Sequence, residues 1–283
     1  MTMQNPPCLF YFPLKIMVVD DDKNYLISCK NKIQFNQVEL SDKPLDVMNQ
    51  LVAIEIDIKS FIKEYVTNEF SVNYSTIASF VEKYNTSNEI GILITDYQMP
   101  EINGIDLCTK FERTNLIKIL LTGEYQIDDA IEALNNKQID YYLPKNLDGK
   151  LLTAINNLHI KFFNLATNNI CQMLDVKNLP FLRDNDYIAI FDSIIKNNNI
   201  TTYFALNNYG CYYMENTDNK FVLSIYNNED LAELKDEYLT QSLPAEQVKS
   251  NKIIPSCRSL LTNNIEFLTC SQQGDYSYCL EKI

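Results

Sequence analysis

Carboxylates, a hydroxyl and a lysine follow separate apolar segments in the first half of the sequence. These chemically active residues are Asp20, Asp21, Asp22, Asp96, Thr122 and Lys145. Crowded carboxylates repel one another, and a hard cation such as Mg²⁺ relieves the repulsion while it keeps several water ligands. A carboxylate beside such a cation, a hydroxyl and an ammonium group can attack a phosphoryl group, because the phosphoryl charge is then neutralised. Phosphoryl transfer to a carboxylate is therefore the chemistry that these residue types permit.

The apolar segments alternate with amphipathic segments, a pattern typical of βα units in a parallel sheet. Predicted strands cover residues 14–19, 37–40, 90–95, 117–121 and 139–143. Predicted helices cover residues 23–35, a segment that begins near Pro44, residues 104–111 and residues 128–135. Ligand sites of open α/β sheets lie at the carboxyl ends of the strands. We therefore predict an α/β fold whose doubly wound, five-stranded parallel sheet gathers the acids, the hydroxyl and the lysine at one edge.

The same segments resemble the receiver domain of two-component response regulators. The motifs are Val18-Val-Asp-Asp-Asp22, Thr95-Asp-Tyr-Gln-Met-Pro-Glu-Ile-Asn-Gly104, Leu120-Leu-Thr-Gly123 and Tyr141-Tyr-Leu-Pro-Lys145. One acidic cluster alone usually belongs to a solvated turn, but motifs in the order of the family, each after a predicted strand, favour a receiver. The resemblance covers residues 13–150 and implies a flavodoxin-like strand order.

The resemblance implies a role for each member of the site. Asp96 would take the phosphoryl group from a sensor histidine kinase. The cofactor Mg²⁺ would be bound by Asp20, Asp21, Asp96 and the backbone carbonyl of Gln98. Thr122 and Lys145 would contact the phosphoryl oxygens, and Tyr142 would change its rotamer with Thr122. Gly123 is small, as the family requires where the phosphoryl group enters.

Two features depart from the pattern of the family. Pro144 precedes Lys145 and Asn146 follows it, whereas receivers usually place proline after the lysine, so the usual cis peptide of this loop is in doubt. The separation between Asp21 and Asp96 is also longer than in compact receivers. Apolar residues at helical spacing over residues 57–84 predict extra helices inserted before the third strand.

These observations divide the chain into three contiguous parts. Residues 1–150 form the receiver domain with its inserted helices, residues 151–175 form a linker helix, and residues 176–283 form a smaller α+β domain. The linker is either one long amphipathic helix or two helices with a break near Asn168. A homodimer would use this linker helix or the face of the receiver's fourth helix and fifth strand.

The last part of the chain predicts a small antiparallel sheet. Residues 201–206 and 211–214 form a hairpin around an Asn-Asn-Tyr-Gly turn, and further strands are predicted at residues 220–226, 265–270 and 276–281. Its aromatic residues, Tyr203, Phe204, Tyr209, Tyr212, Tyr213, Phe221 and Tyr226, either bind a partner or ligand or pack across strands. The whole chain also resembles bacterial response regulators with an inserted receiver and a tyrosine-rich C-terminal domain of unassigned function.

Elimination leaves an interaction or sensory output controlled by the receiver, with an effector protein or small ligand as its partner. An enzymatic output is the alternative, but no separate catalytic site is recognised. The chain's single histidine, His159, lies in the linker helix and is more typical of a structural residue than a catalytic one. Paired acids such as Asp184 and Asp186, or Glu229 and Asp230, are typical of turns and helix starts.

Composition limits the remaining classes of partner. The chain has 24 Lys and Arg against 37 Asp and Glu, a net charge of −13, which argues against nucleic-acid binding. Its eight cysteines lack a CxxC pair and are typical of reduced thiols. No run reaches the roughly 18 apolar residues that a membrane-spanning helix needs. We therefore expect a cytoplasmic protein that binds neither nucleic acid nor membrane.

Overall fold

The computed structural model describes residues 7–33, 37–55, 57–67, 70–72, 74–111, 115–123, 127–145, 150–173, 179–240, 253–258 and 266–283. They form two compact units. The parallel-sheet unit is formed by Pro13–Asp57 and Tyr84–Phe162. The antiparallel-sheet unit is formed by the described parts of Met1–Phe12, Ile58–Lys83 and Phe163–Ile283.

The strands in chain order are β1 Phe10–Tyr11, β2 Ile16–Val19, β3 Val38–Ser41, β4 Ile92–Asp96, β5 Ile117–Thr122, β6 Tyr141–Pro144, β7 Thr202–Ala205, β8 Tyr212–Glu215, β9 Lys220–Asn227, β10 Ile253–Pro255, β11 Phe267–Thr269, β12 Ser271–Gln273 and β13 Tyr276–Lys282. The helices are α1 Lys23–Lys32, α2 Pro44–Gln50, α3 Ile58–Tyr65, α4 Tyr74–Thr86, α5 Gly104–Lys110, α6 Ile127–Asn135, α7 Leu151–Met173, α8 Asn185–Asn197 and α9 Asn228–Thr240. None of the described helices is both long and apolar enough to span a membrane.

The parallel-sheet unit contains five parallel strands in the order β3-β2-β4-β5-β6. Every residue of β4 and β5 is buried, because both faces of a doubly wound sheet are covered, and these strands are accordingly apolar over most of their length. The order reverses direction between β2 and β4, which is where ligands bind in such sheets. The predicted parallel sheet and its flavodoxin-like order are confirmed.

Capping residues start the two helices that follow the acidic motifs. The Asp22 carboxylate accepts hydrogen bonds from the backbone N–H groups of Asn24 and Tyr25, and α1 begins at Lys23. The Asn103 side chain accepts a hydrogen bond from the Asp106 N–H at the start of α5. These caps satisfy N–H groups that a helix leaves unpaired at its first turn, so each helix begins immediately after its motif.

The antiparallel-sheet unit contains six antiparallel strands in the order β1-β7-β8-β9-β13-β12. The predicted hairpin is formed by β7 and β8, with Ala205 opposite Tyr212. The predicted antiparallel sheet is therefore confirmed. The apolar stretch near the N-terminus supplies strands to both sheets, because Phe10 pairs with Phe204 of β7 whereas β2 lies in the parallel sheet.

The inserted helices α3 and α4 exist as predicted, but they belong to the antiparallel-sheet unit. Phe61 of α3 and Phe80 of α4 pack against Phe10, with ring centroids 5.4 and 5.9 Å away. Phe204 and Phe163 also pack against Phe10 in this aromatic cluster. The division therefore differs from the three contiguous parts predicted above. Helical spacing indicates that a segment has an apolar face, but it does not indicate which sheet covers that face.

Helix α7 is continuous from Leu151 to Met173, so the alternative with a break near Asn168 is wrong. The boundary between the two units falls within this helix, after Phe162. Residues 174 and 175, with which the predicted linker ends, lie outside the described residues.

Candidate functional site

Three carboxylates meet at the carboxyl ends of β2 and β4. One oxygen each from Asp20, Asp21 and Asp96 lie within 4.8 Å of one another. Asp20 and Asp96 are buried, and Asp21 is exposed. Neighbouring strands of a parallel sheet end at the same edge, which is why residues so distant in sequence come together.

The Lys145 ammonium lies between the two buried carboxylates. Its Nζ is 2.7 Å from Asp20 Oδ2 and 3.1 Å from Asp96 Oδ1. The Lys145 backbone N–H donates to the Thr122 carbonyl at 3.0 Å, which ties the lysine to the end of β5. One ammonium offsets one of three carboxylates, and uncompensated buried charge is costly. The excess negative charge therefore favours a further cation.

The titration of these groups reflects burial and pairing together. Burial raises the pKa of Asp96, and the hydrogen bond and charge of Lys145 oppose this rise. Burial alone would lower the pKa of Lys145, but the hydrogen bonds from its ammonium to Asp20 and Asp96 raise it above the usual value. Lys145 is therefore charged throughout the physiological range.

The Asp20 carboxylate is oriented by a backbone N–H group two residues further along the chain. Its Oδ1 accepts a hydrogen bond from the Asp22 N–H at 2.9 Å, and Asp22 in turn caps α1. The three consecutive aspartates thus have three different environments: Asp20 is buried and oriented, Asp21 is exposed beside it, and Asp22 starts the helix.

The Thr122 hydroxyl is buried at the end of β5, beside β4. Within the described part of the chain, Thr122 Oγ1 has no hydrogen-bond partner. A buried unsatisfied hydroxyl costs about 1–3 kcal/mol. Such a group is suited to donate a hydrogen bond to an anion that enters the site.

Three further predicted residues lie in the parallel-sheet unit. The Gln98 backbone hydrogen-bonds the Asp96 carboxylate and helps to hold down its pKa. Tyr142 lies opposite Leu120 on β6, is partly buried and packs against the core of the parallel-sheet unit. Gly123 is exposed directly after β5. No described peptide bond is cis, including the one that precedes Pro144, and Asn146 lies outside the described residues.

The donor set fits Mg²⁺. This ion takes oxygen ligands, uses only one or two carboxylates directly and retains waters, and the exposed Asp21 leaves one side of the cluster open to solvent. Asp20, Asp21 and Asp96 are the carboxylates that can hold it. The uncompensated negative charge described above supports the same assignment.

Two contacts were not predicted from the sequence. The Tyr25 ring lies over Lys145, with 4.8 Å between Nζ and the ring centroid. The Tyr97 hydroxyl donates to Asp129 Oδ2 at 2.6 Å, which connects the residue after Asp96 to α6. The sequence feature that could have indicated the contact with Lys145 is the position of Tyr25 in the first helical turn after the acidic motif. No sequence pattern pairs Tyr97 with Asp129, which is 32 residues away.

The aromatic residues predicted for ligand binding or cross-strand packing are mostly buried. Tyr203, Phe204, Tyr212, Tyr213, Phe221 and Tyr226 all lie in the core, and Tyr209 is half-buried. His159 is buried too, and its Nε2 accepts the Leu14 N–H at 3.3 Å. Asp184 caps α8 by accepting the Tyr187 N–H. Packing and capping thus account for most of these side chains.

Comparison with known proteins finds a family that matches part of the chain. Residues 54–156 match the response regulator receiver domain family, a range that includes Asp96, Thr122 and Lys145 but not Asp20 or Asp21. The response regulator SaeR of Staphylococcus aureus (strain USA300) is 38% identical over 74 residues, 25% of this chain and 32% of SaeR. The match thus spans about a third of the length of this curated relative.

A solved structure extends the likeness in fold. The Legionella pneumophila response regulator LqsR superposes with a TM-score of 0.73 at 22% identity, covering 99% of this chain and 90% of LqsR. At this identity the likeness shows a shared fold. The family match and the parallel strand order support one conclusion: the chain contains a region that is similar to response regulator receiver domains.

Proposed function

We propose that this protein is a two-component response regulator in which Asp96 accepts a phosphoryl group from a sensor histidine kinase. The observation that carries the proposal is the placement of Asp96 beside Asp20, Asp21 and Lys145 at the switch point of a receiver sheet. The phosphorylated receiver changes the activity of a C-terminal interaction or sensory domain that does not bind DNA, in a protein that acts in the cytoplasm.

In the proposed reaction, the Asp96 carboxylate attacks the phosphorus of a phosphohistidine on the kinase. The phosphorus–nitrogen bond breaks, the histidine nitrogen keeps the electron pair, and an acyl phosphate forms on Asp96. Asp20, Asp21, Asp96 and the Gln98 backbone carbonyl would hold Mg²⁺, which would supply charge neutralisation when bound. Lys145 donates to one phosphoryl oxygen, and the Thr122 hydroxyl, which has no partner among the described residues, donates to another.

The proposed switch runs from Asp96 to α6 and β6. Thr122 turns toward the phosphoryl group and Tyr142 repacks into the space that it leaves, as the receiver family implies. The Tyr97–Asp129 hydrogen bond connects the Asp96 loop to α6. It is a second contact through which phosphorylation of Asp96 affects this helix. Ile127 and Ile131 of α6 and Tyr141 of β6 are exposed apolar side chains on these elements. We propose this face, or helix α7, as the surface for a homodimer.

The packing of the antiparallel-sheet unit bears on whether the output is an enzymatic activity or an interaction. The acids considered for an enzymatic output include Asp184, which caps α8. Most of the aromatic residues considered for ligand binding are core residues. The capping role of Asp184 does not support an enzymatic output, so we favour an interaction with an effector protein or a small ligand. The burial of the aromatic residues implies that this interaction uses other surfaces of the unit.

Phosphoryl acceptance is tested with the Asp96→Asn variant. The full chain is incubated with acetyl phosphate and Mg²⁺, and intact-mass spectrometry measures the addition of one phosphoryl group. The wild-type protein should gain it, and both Asp96→Asn and removal of Mg²⁺ with EDTA should reduce the gain to background. Asp46→Asn, an exposed aspartate of α2, is the matched control and should behave as wild type.

Size-exclusion chromatography with light scattering then tests the switch on the same samples. Equal phosphorylation of wild type and Asp96→Asn would contradict the assignment of the acceptor. Phosphorylation of wild type without any change in oligomeric state or in binding of effector proteins would contradict the proposed coupling.

A further inference from the structure

The Lys145 ammonium is bordered by an aromatic ring as well as by two carboxylates. Its Nζ lies 4.8 Å from the centroid of the Tyr25 ring, 2.7 Å from Asp20 and 3.1 Å from Asp96. A cation within about 6 Å of a ring centroid is attracted by the negative face of the ring. Tyr25 is half-buried and Lys145 is partly exposed, so solvent screens this attraction only in part.

The backbone at Tyr25 is fixed relative to the acidic site. The Tyr25 N–H donates to Asp22 Oδ1 at 3.3 Å, and the Asp22 N–H donates to Asp20 Oδ1 at 2.9 Å. Asp20 in turn pairs with Lys145 through its other oxygen. Four contacts therefore link Asp20 to Asp22, Asp22 to Tyr25, Tyr25 to Lys145, and Lys145 to Asp20.

Binding of a metal ion and a phosphoryl group affects the two carboxylates and the Tyr25 ring differently. Asp20 and Asp96 must also face a metal ion and a phosphoryl group, and both weaken their attraction for the lysine. The neutral Tyr25 ring binds neither, so its attraction for the ammonium persists. Lysine is a point charge on a flexible four-carbon chain, and it gains more from such a fixed neighbour than a rigid group would.

We propose that Tyr25 is a positioning residue that holds the Lys145 ammonium at the phosphoryl-binding position through a cation–π contact. This inference rests on the proposed function, because the lysine must act on a phosphoryl group at Asp96. It assigns to the first turn of α1 a part in phosphoryl acceptance that goes beyond capping.

Tyr25→Leu and Tyr25→Phe test the proposal in the full chain with acetyl phosphate and saturating Mg²⁺. Leucine removes the ring, and the phosphorylation rate constant should fall by about two- to tenfold, the range that a cation–π contact supplies. Phenylalanine keeps the ring and should restore a rate close to that of wild type. Ile27→Ala, exposed on the same helix, is the control for changes to α1 and should leave the rate unchanged.

A double-mutant cycle in urea separates positioning from general packing. Tyr25→Leu should reduce the folding equilibrium constant about two- to tenfold more in the wild-type background than in a Lys145→Met background, because only the former retains the contact. Equal losses in both backgrounds, or a wild-type phosphorylation rate for Tyr25→Leu, would overturn the proposal. The unfolding cycle does not require phosphorylation, so it gives a result even if Asp96 fails as the acceptor.

Discussion

At the scale of single residues, Thr122 and Thr95 show how two neighbouring strands use the same side chain differently. Both threonines are buried. The Thr95 hydroxyl donates to the Asp96 carbonyl at 3.2 Å and also contacts Met99. The Thr122 hydroxyl has no partner among the described residues. A folded protein that keeps an unsatisfied buried hydroxyl gives up stability at that position, which is expected where the group serves a ligand.

Thr122→Val is predicted to separate stability from function. Valine keeps the shape and removes the unsatisfied hydroxyl, so the free energy of unfolding should stay within about 1 kcal/mol of wild type or rise. Phosphorylation from acetyl phosphate should be slower, or the acyl phosphate shorter-lived, because one donor to the phosphoryl oxygens is lost. Urea unfolding and intact-mass spectrometry over time measure the two effects.

Thr95→Val is the matched control, since it removes a hydroxyl that already has a partner. It should lower the free energy of unfolding by about 1 kcal/mol. A larger loss of stability for Thr122→Val than for Thr95→Val would mean that the Thr122 hydroxyl has a hydrogen-bond partner in the folded protein. The proposal that this hydroxyl is available to donate to a phosphoryl oxygen would then be wrong.

At the scale of elements, the loop from β4 to α5 brings the start of a helix against Asp96, the proposed acceptor. Gly104 begins α5, and its N–H donates to the Tyr97 carbonyl at 2.9 Å. A Cβ atom at Gly104 would clash with the Asp96 carbonyl oxygen and would lie 2.8 Å from Leu120 Cδ1. The first of these neighbours is backbone, which cannot move aside without shifting the end of β4.

Gly104→Ala is therefore predicted to damage both folding and the site. Overpacking of this kind costs about 1–3 kcal/mol, and the displaced Asp96 backbone should also lower the phosphorylation rate. Asn103→Ala provides the comparison on the same helix. Loss of its cap should cost about 1 kcal/mol while phosphorylation proceeds at a rate near that of wild type. Equal phosphorylation rates for the two variants would show that the close approach of Gly104 does not position Asp96.

At the scale of the whole molecule, the two units are interleaved along the chain. The antiparallel-sheet unit takes β1, α3, most of α4 and the end of α7 from segments that precede residue 176. These elements supply Phe10, Phe61, Phe80 and Phe163 to a cluster in which the Phe10 ring contacts the other three and Phe204. Burial of an aromatic side chain is a large part of the stability of a small domain. The unit therefore extends well beyond the C-terminal segment.

A fragment of residues 176–283 is predicted not to fold as the antiparallel-sheet unit does in the full chain. Without β1 the strand β7 loses one of its two neighbouring strands, and Phe204 loses its contact with the Phe10 ring. The fragment should bind the dye ANS and lack a cooperative urea transition, whereas the full chain should show one. Phe10→Ala in the full chain should cost about 3–5 kcal/mol, which tests the same cluster without truncation.

A cooperative transition of the fragment, with near-native circular dichroism, would contradict this prediction. The expected result also affects experiments on the output. Partner and ligand binding should be measured on the full chain, because a fragment that exposes the Phe204 face would capture proteins through a surface that is buried in the intact molecule.

The sequence alone was sufficient to predict the parallel sheet and the residues at its edge. Strand and helix periodicities alternate clearly there, and chemically active residues follow the strands directly. Parallel strands of one sheet end on the same side, so Asp20, Asp96 and Lys145 had to converge once the strands were assigned. The motif around Asp96 is also local, with its spacing set by one loop and one helix start.

Only the tertiary structure decided which unit buries the inserted helices, where β1 pairs, that α7 is unbroken, and which groups surround Lys145. Each of these depends on contacts between residues far apart in the chain, such as Phe10 with Phe204 or Tyr25 with Lys145. Hydrophobic periodicity records that a face is buried but not what covers it, since any apolar surface of suitable shape lowers the free energy equally well. The members of the proposed acceptor site could thus be predicted from the sequence, whereas the ring beside Lys145 and the division of the chain could be identified only from the fold.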